Sequence, residues 1–168
     1  MSDRPDAGSD PDDDSTSVGR AGQRRATEAV VSLTPSECWA RLRTHSFGRL
    51  AVVVGGRPLI FPMNYAAGED ALVFRTERGV KLAHGPGSTV CLEIDDYDPH
   101  TATGWSVMVL GLLEDISEGG DPRSQALRKL PVRPLAPGIR GSWLALRVDE
   151  LSGRYFRGGW VGPRPTPS

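Results

Sequence analysis

The segment Phe74-Arg75-Thr76-Glu77-Arg78-Gly79-Val80-Lys81 ends a β-type run on an arginine and a hydroxyl, turns, and puts a lysine in the first turn of a short helix. The start of a helix already carries unpaired N–H groups and the positive end of the macrodipole, so added cations repel there. Arg75, Arg78 and Lys81 suit that place if an anion sits among them. A phosphate held by Thr76 and backbone N–H groups has the right charge. A basic surface turn without a ligand is the competing reading. The residues alone leave both open, because the spacing is not that of a Walker loop.

Two other segments offer contacts to a flat ligand. Pro58-Leu59-Ile60-Phe61-Pro62-Met63-Asn64-Tyr65 is a strand with two prolines. Proline removes ladder donors, so one side of this strand is expected to face a groove. Asn64 then presents its amide to a ring edge, or else simply starts a turn. In Thr103-Gly104-Trp105-Ser106, Trp105 either covers an aromatic ligand or is half-buried packing. No residue stands out as a catalytic acid or base.

These residues need a scaffold, and the periodicity supplies one. Thr34-Pro35-Ser36-Glu37 reads as a capping box with proline at the first helical position, opening a helix that runs to about His45 with Cys38, Trp39 and Leu42 on one face. Strands follow at Arg49–Val54 and Arg57–Tyr65, joined by Gly55-Gly56 as a hairpin. Further strands are expected at Ala71–Thr76, Thr89–Asp95, Gly104–Ile116 and Ser142–Val148, with Gly153–Phe156 beyond. Short helices are expected at Gly79–His84 and at Asp121–Leu130. About six antiparallel strands with only short helices between them indicate a barrel or sandwich, not a doubly wound sheet.

Composition sets the limits. The chain has 168 residues and a net charge of −1, but its first 18 residues carry six Asp against one Arg, leaving +4 on the rest. Residues 1–28 read as a disordered acidic tail, 29–157 as one domain and 158–168 as a flexible tail. No apolar run approaches the roughly 18 residues of a membrane span, and no signal-peptide core is visible, so a cytoplasmic protein is expected. Cys38 and Cys91 read as packed thiols. His45, His84 and His100 lack ligand spacing, so no metal site is expected. The acidic stretch Asp95–Asp98 reads as a solvated loop, lacking the glycine and glutamate of a calcium loop. The basic residues from Arg128 to Arg140 lie among prolines, so nucleic acid is not expected as a partner.

Taken in order, the segments GRLAVV, RPLIFPMNY, LVFRT with GVKLA, and GWSVMVLG resemble the pyridoxamine 5′-phosphate oxidase-like FMN-binding split-barrel proteins, above all their short actinobacterial members. The resemblance spans about Leu33 to Phe156 and implies a mainly β fold, a six-stranded antiparallel split β-barrel. It further implies that Phe61, Pro62, Met63 and Asn64 run along the isoalloxazine, that Arg75, Thr76 and Lys81 bind the phosphate, and that Ser106, beside Trp105, touches the flavin. A homodimer with the cofactor at the subunit interface follows from the same resemblance. FMN is the first-choice cofactor, for a flavin-dependent oxidoreductase whose substrate is unassigned. A deazaflavin-dependent reductase and a non-catalytic flavin-binding or storage protein are the alternatives. The chain departs from the oxidases where Leu82 replaces a second basic residue, and where the C-terminal Arg-x-His substrate clamp gives way to Arg154-Tyr155-Phe156-Arg157. The missing clamp argues against oxidation of pyridoxamine phosphate itself, and Leu82 implies weaker phosphate binding or a different cofactor.

Overall fold

The computed structural model describes residues 30–76, 86–133 and 141–157. The expectations for both tails, for Arg78 and Lys81, and for a helix at Gly79–His84 fall outside these residues. The strands are β1 (Val30–Ser32), β2 (Phe47–Val54), β3 (Arg57–Ala67), β4 (Ala71–Thr76), β5 (Thr89–Asp98), β6 (Thr103–Asp115) and β7 (Ser142–Arg157). The helices are α1 (Pro35–Thr44) and α2 (Pro122–Leu127).

Alternation drives the strands. In β2 the residues Gly48, Leu50 and Val52 point inward and are buried, while Phe47, Arg49 and Val53 face out. The Gly55-Gly56 turn has φ of 55° and 76°, the left-handed region that a two-residue hairpin needs and glycine adopts without strain. The strands are hydrogen-bonded in the order β1, β7, β4, β3, β2, β5, β6, all neighbours antiparallel. β6 then pairs again with β7, so six strands close a ring and β1 lies outside it. This is the split β-barrel that the resemblance implied, where the periodicity left barrel or sandwich open, with a seventh strand added. β1 escaped the sequence reading because its three residues are all exposed and show no alternation.

β7 closes the ring by serving two neighbours. Residues Ser142–Arg147 pair with β4 while Leu144–Arg157 run against β6. It is one strand of 16 residues, where the sequence suggested two pieces. The β6–β7 register shifts between Leu110 and Gly111, and such a bulge bends a strand into barrel curvature. A Cβ at Gly111 would lie 1.7 Å from the Arg147 carbonyl oxygen, so only glycine fits there.

Two apolar clusters hold this frame. Leu50, Tyr65, Phe74, Leu92, Val107 and Leu144 are among those filling the barrel, and α1 plugs one end with Cys38 and Leu42. Each such side chain contributes about 1.5–3 kcal/mol by leaving water. The α1 capping box forms as the sequence predicts: Glu37 N–H donates to Thr34 Oγ1 at 3.3 Å, and Thr34 N–H donates to Glu37 Oε2 at 2.8 Å. Outside the barrel, α2 sets Leu127 against Ala71, Val73 and Ala145 of β4 and β7. Asp121 caps α2 as expected, accepting from Ser124 N–H at 2.9 Å. The helix is shorter than its sequence suggested. After Leu127 the chain tightens into i→i+3 bonds, Lys129 to Ala126 and Leu130 to Leu127, because Pro131 turns the residue before it away from helical geometry.

Candidate functional site

The far end of β4 gathers the predicted phosphate ligands that fall within the described residues. Arg75 lies opposite Trp143 of β7 on the outer face, its guanidinium carbon 4.8 Å from the ring centroid. Thr76 lies opposite Ser142 on the inner face, and both hydroxyl residues are buried. The hydroxyls and the guanidinium are groups that can donate to an oxyanion, and they stand on opposite faces at the end of the β4–β7 pair. Continuing the Tyr65–Phe74 pairing by one step sets Asn64 of β3 level with Arg75. The Asn64 amide donates to the Arg133 carbonyl at 2.6 Å, tying the chain beyond α2 to this spot. Asn64 lies within β3 and starts no turn.

The prolines interrupt the row of backbone donors along one edge of β3. Tyr65 N–H donates to the Ser46 carbonyl at 2.9 Å, so odd-numbered residues of β3 bond toward β2. Even-numbered residues face the other edge, where Pro58 and Pro62 have no N–H to give. Among the described residues the β3–β4 ladder accordingly covers only Tyr65 to Ala67. Along the diverging stretch Pro62 is exposed on the outer face, while Met63 and the half-buried Phe61 point inward. Phe61, Pro62, Met63 and Asn64 thus lie on β3 next to the end of β4 that carries Arg75 and Thr76, with Phe61, Met63 and Thr76 on the inner face and Pro62, Asn64 and Arg75 on the outer face.

Trp105 and Ser106 do not join them. They lie on opposite faces of β6, and β6 and β3 stand three places apart in a ring of six, the greatest separation the ring allows. Trp105 packs on the core beside α1, edge-on to His45 at 4.8 Å and 5.2 Å from the Arg41 guanidinium. Its surroundings here are those of half-buried packing. Ser106 lines a groove of about 210 Å³ with Glu93, Met108 and Arg154. Nearby, Arg49 binds Glu93 at 2.9 Å and Asp95 at 2.5 Å, so the acidic stretch is partly neutralised. Asp98 accepts from Thr101 Oγ1 and His100 N–H, both at 2.8 Å, and these bonds hold its pKa below the ordinary value. Cys38 is buried and Cys91 half-buried; both are free, and burial pushes both thiols up. No described helix is long and apolar enough to cross a membrane.

The sequence reading missed Ser142, Trp143 and the Arg133 carbonyl. They reach the site through the β4–β7 register and a contact 69 residues apart in sequence, which no local pattern reveals.

Comparison with known proteins places this geometry. The family profile of pyridoxamine 5′-phosphate oxidase matches residues 34–155. The chain belongs to the pyridoxamine 5′-phosphate oxidase family. An uncharacterised protein of Mycobacterium tuberculosis, Rv0080, is 32% identical over 142 residues, covering 79% of this chain and 91% of that one. Among solved structures, the FAD binding protein from Mycobacterium smegmatis has a TM-score of 0.63 at 29% identity, covering 76% of this chain and 98% of the other. A candidate pyridoxamine 5′-phosphate oxidase from Corynebacterium glutamicum has a TM-score of 0.64 at 26% identity, covering 79% and 97%. The matched span runs from the Thr34 cap to Tyr155, so it takes in α1 and all of the closing ring but the last two residues of β7.

Proposed function

We propose that the chain binds a flavin nucleotide, FMN in the first instance, and serves flavin-dependent redox chemistry on a small molecule. The observation that carries this reading is the end of β4, where Arg75 lies over Trp143 and next to the buried Thr76–Ser142 pair in sequence and register. These donors suit a phosphate, and Lys81 adds a second cationic contact in this reading. The name of the Mycobacterium smegmatis relative, an FAD binding protein, supports a flavin as the cofactor class. When bound, a flavin accepts or donates hydride or electrons. The protein's part is to hold the phosphate at Arg75 and Thr76 and to set a ring against the Pro62–Asn64 backbone, whose outward edge lacks proline N–H groups.

A second copy of the chain completes the site in this reading. Phe47, Val53 and Ile60 are 47%, 60% and 66% exposed and share the outer face of the β2–β3 hairpin with Pro62 and Asn64. Large apolar residues side by side on one face mark an interface. A copy seated there by two-fold symmetry covers a ring lying on Pro62 and brings its own Ser106 within the range that one chain denies. The test is a quenching titration of the purified protein with FMN, FAD and a deazaflavin cofactor in parallel. Micromolar affinity for FMN, at or above that for the other two, is expected. Absence of saturable quenching by any of the three overturns the reading.

A further inference from the structure

The groove of about 210 Å³ that Ser106 lines lies on the outer face, where β5, β6 and β7 run side by side. That volume is below the roughly 300–1,000 Å³ of drug-sized ligand sites, so its occupant is small. Cross-strand partners share a face, and the register sets Arg154 opposite Ser106 and Ser152 opposite Met108. Met108, 43% exposed, gives the groove an apolar thioether surface. Among the described residues Arg154, Ser106 and Ser152 make no side-chain hydrogen bond or ion pair. A guanidinium and two hydroxyls on one face, all free, can donate together to an oxyanion, and the planar fork of arginine matches a carboxylate.

Charge limits the occupant further. Glu93 also lines the groove, but it is paired with Arg49, which binds Asp95 as well. These two carboxylates are balanced by Arg49 and Arg154 together. One negative charge placed on Arg154 is matched there, while the second charge of a phosphate dianion would face Glu93. We infer that the small molecule of the proposed redox chemistry is an apolar monocarboxylate, its carboxylate held by Arg154 and Ser106 and its carbon body lying on Met108. That this molecule is the substrate rests on the flavin reading, in which a second copy brings Ser106, and with it Arg154, to the ring. That the groove takes a carboxylate does not rest on it.

The test titrates benzoate, benzamide and phenyl phosphate separately into the isotope-labelled full chain and follows amide shifts by NMR. Benzoate is expected to give saturable shifts at Glu93–Asp95, Ser106–Met108 and Ser152–Arg154, with benzamide and phenyl phosphate each binding there about fivefold or more weakly. Arg154 is exposed, so Arg154→Gln leaves the fold in place and should weaken benzoate about tenfold or more. In the FMN-loaded protein, benzoate should shift the visible flavin band, and Arg154→Gln should abolish that shift at the same benzoate concentration. Scattered or unsaturable amide shifts, equal affinity for benzamide or phenyl phosphate, or an unaffected Arg154→Gln variant each overturn the carboxylate site and leave the FMN titration as it stands. A flavin band unmoved while benzoate fills the groove overturns the substrate assignment. Benzoate bound in the groove of a chain that takes up no FMN overturns the flavin reading and the substrate assignment with it.

Discussion

Tyr65 carries its hydroxyl into the barrel, where it finds no hydrogen-bond partner among the described residues and burial pushes its pKa up. Losing an unpaired buried polar group removes its desolvation cost, so Tyr65→Phe should stabilise the protein by about 1 kcal/mol in urea unfolding. A destabilised variant would show that the hydroxyl has a partner. At the candidate phosphate site, Arg75→Ala combined with Lys81→Ala removes two charge-assisted contacts and should weaken FMN about a hundredfold, read from the same quenching titration. Unchanged affinity would place the phosphate elsewhere. Sequence reading reached Arg75 and Thr76 because a basic strand end stands out on its own. It could not reach Ser142 or Trp143, since a serine and a tryptophan in an alternating strand look like ordinary packing until the register sets them opposite Thr76 and Arg75.

The elements were legible where local chemistry decides them. The α1 capping box and the Gly-Gly hairpin follow from three or four residues each, and both form as their residues dictate. β1 and the unity of β7 were not legible, because β1 depends on pairing with β7, and β7 carries a bulged register rather than a clean alternation. That bulge is where the ring is most sensitive. Gly111→Ala drives a methyl into the Arg147 carbonyl and should cost about 3 kcal/mol, measured as a shift in the denaturation midpoint. The α1 cap makes a pH prediction. Its bond from the Thr34 backbone, and then that from the Thr34 hydroxyl, hold the Glu37 carboxyl below its ordinary 4.5. The cap therefore stabilises fully above pH 4.5 and is lost as pH falls through the lower folded value. The melting-temperature gap between wild type and Glu37→Gln should be widest near neutrality and narrow below pH 4.5; a gap independent of pH would contradict this.

For the whole molecule, the ring of six strands leaves the apolar outer face of the β2–β3 hairpin uncovered among the described residues. If a second copy covers it, Val53→Glu with Ile60→Glu should turn a dimer into a monomer in light scattering, and a wild-type chain already monomeric would refute that part. Such an interface is only half visible in sequence: alternation shows that Val53 and Ile60 point the same way, but not that both stay exposed among the described residues. The central claim is that the molecule is built around a flavin phosphate, and the most direct measurement is the visible absorbance of the purified protein after it is mixed with FMN and desalted. The account predicts flavin absorption that stays with the protein at about one FMN per chain, one for each β4 end. A colourless protein peak, with all the FMN in the small-molecule fraction, would contradict it.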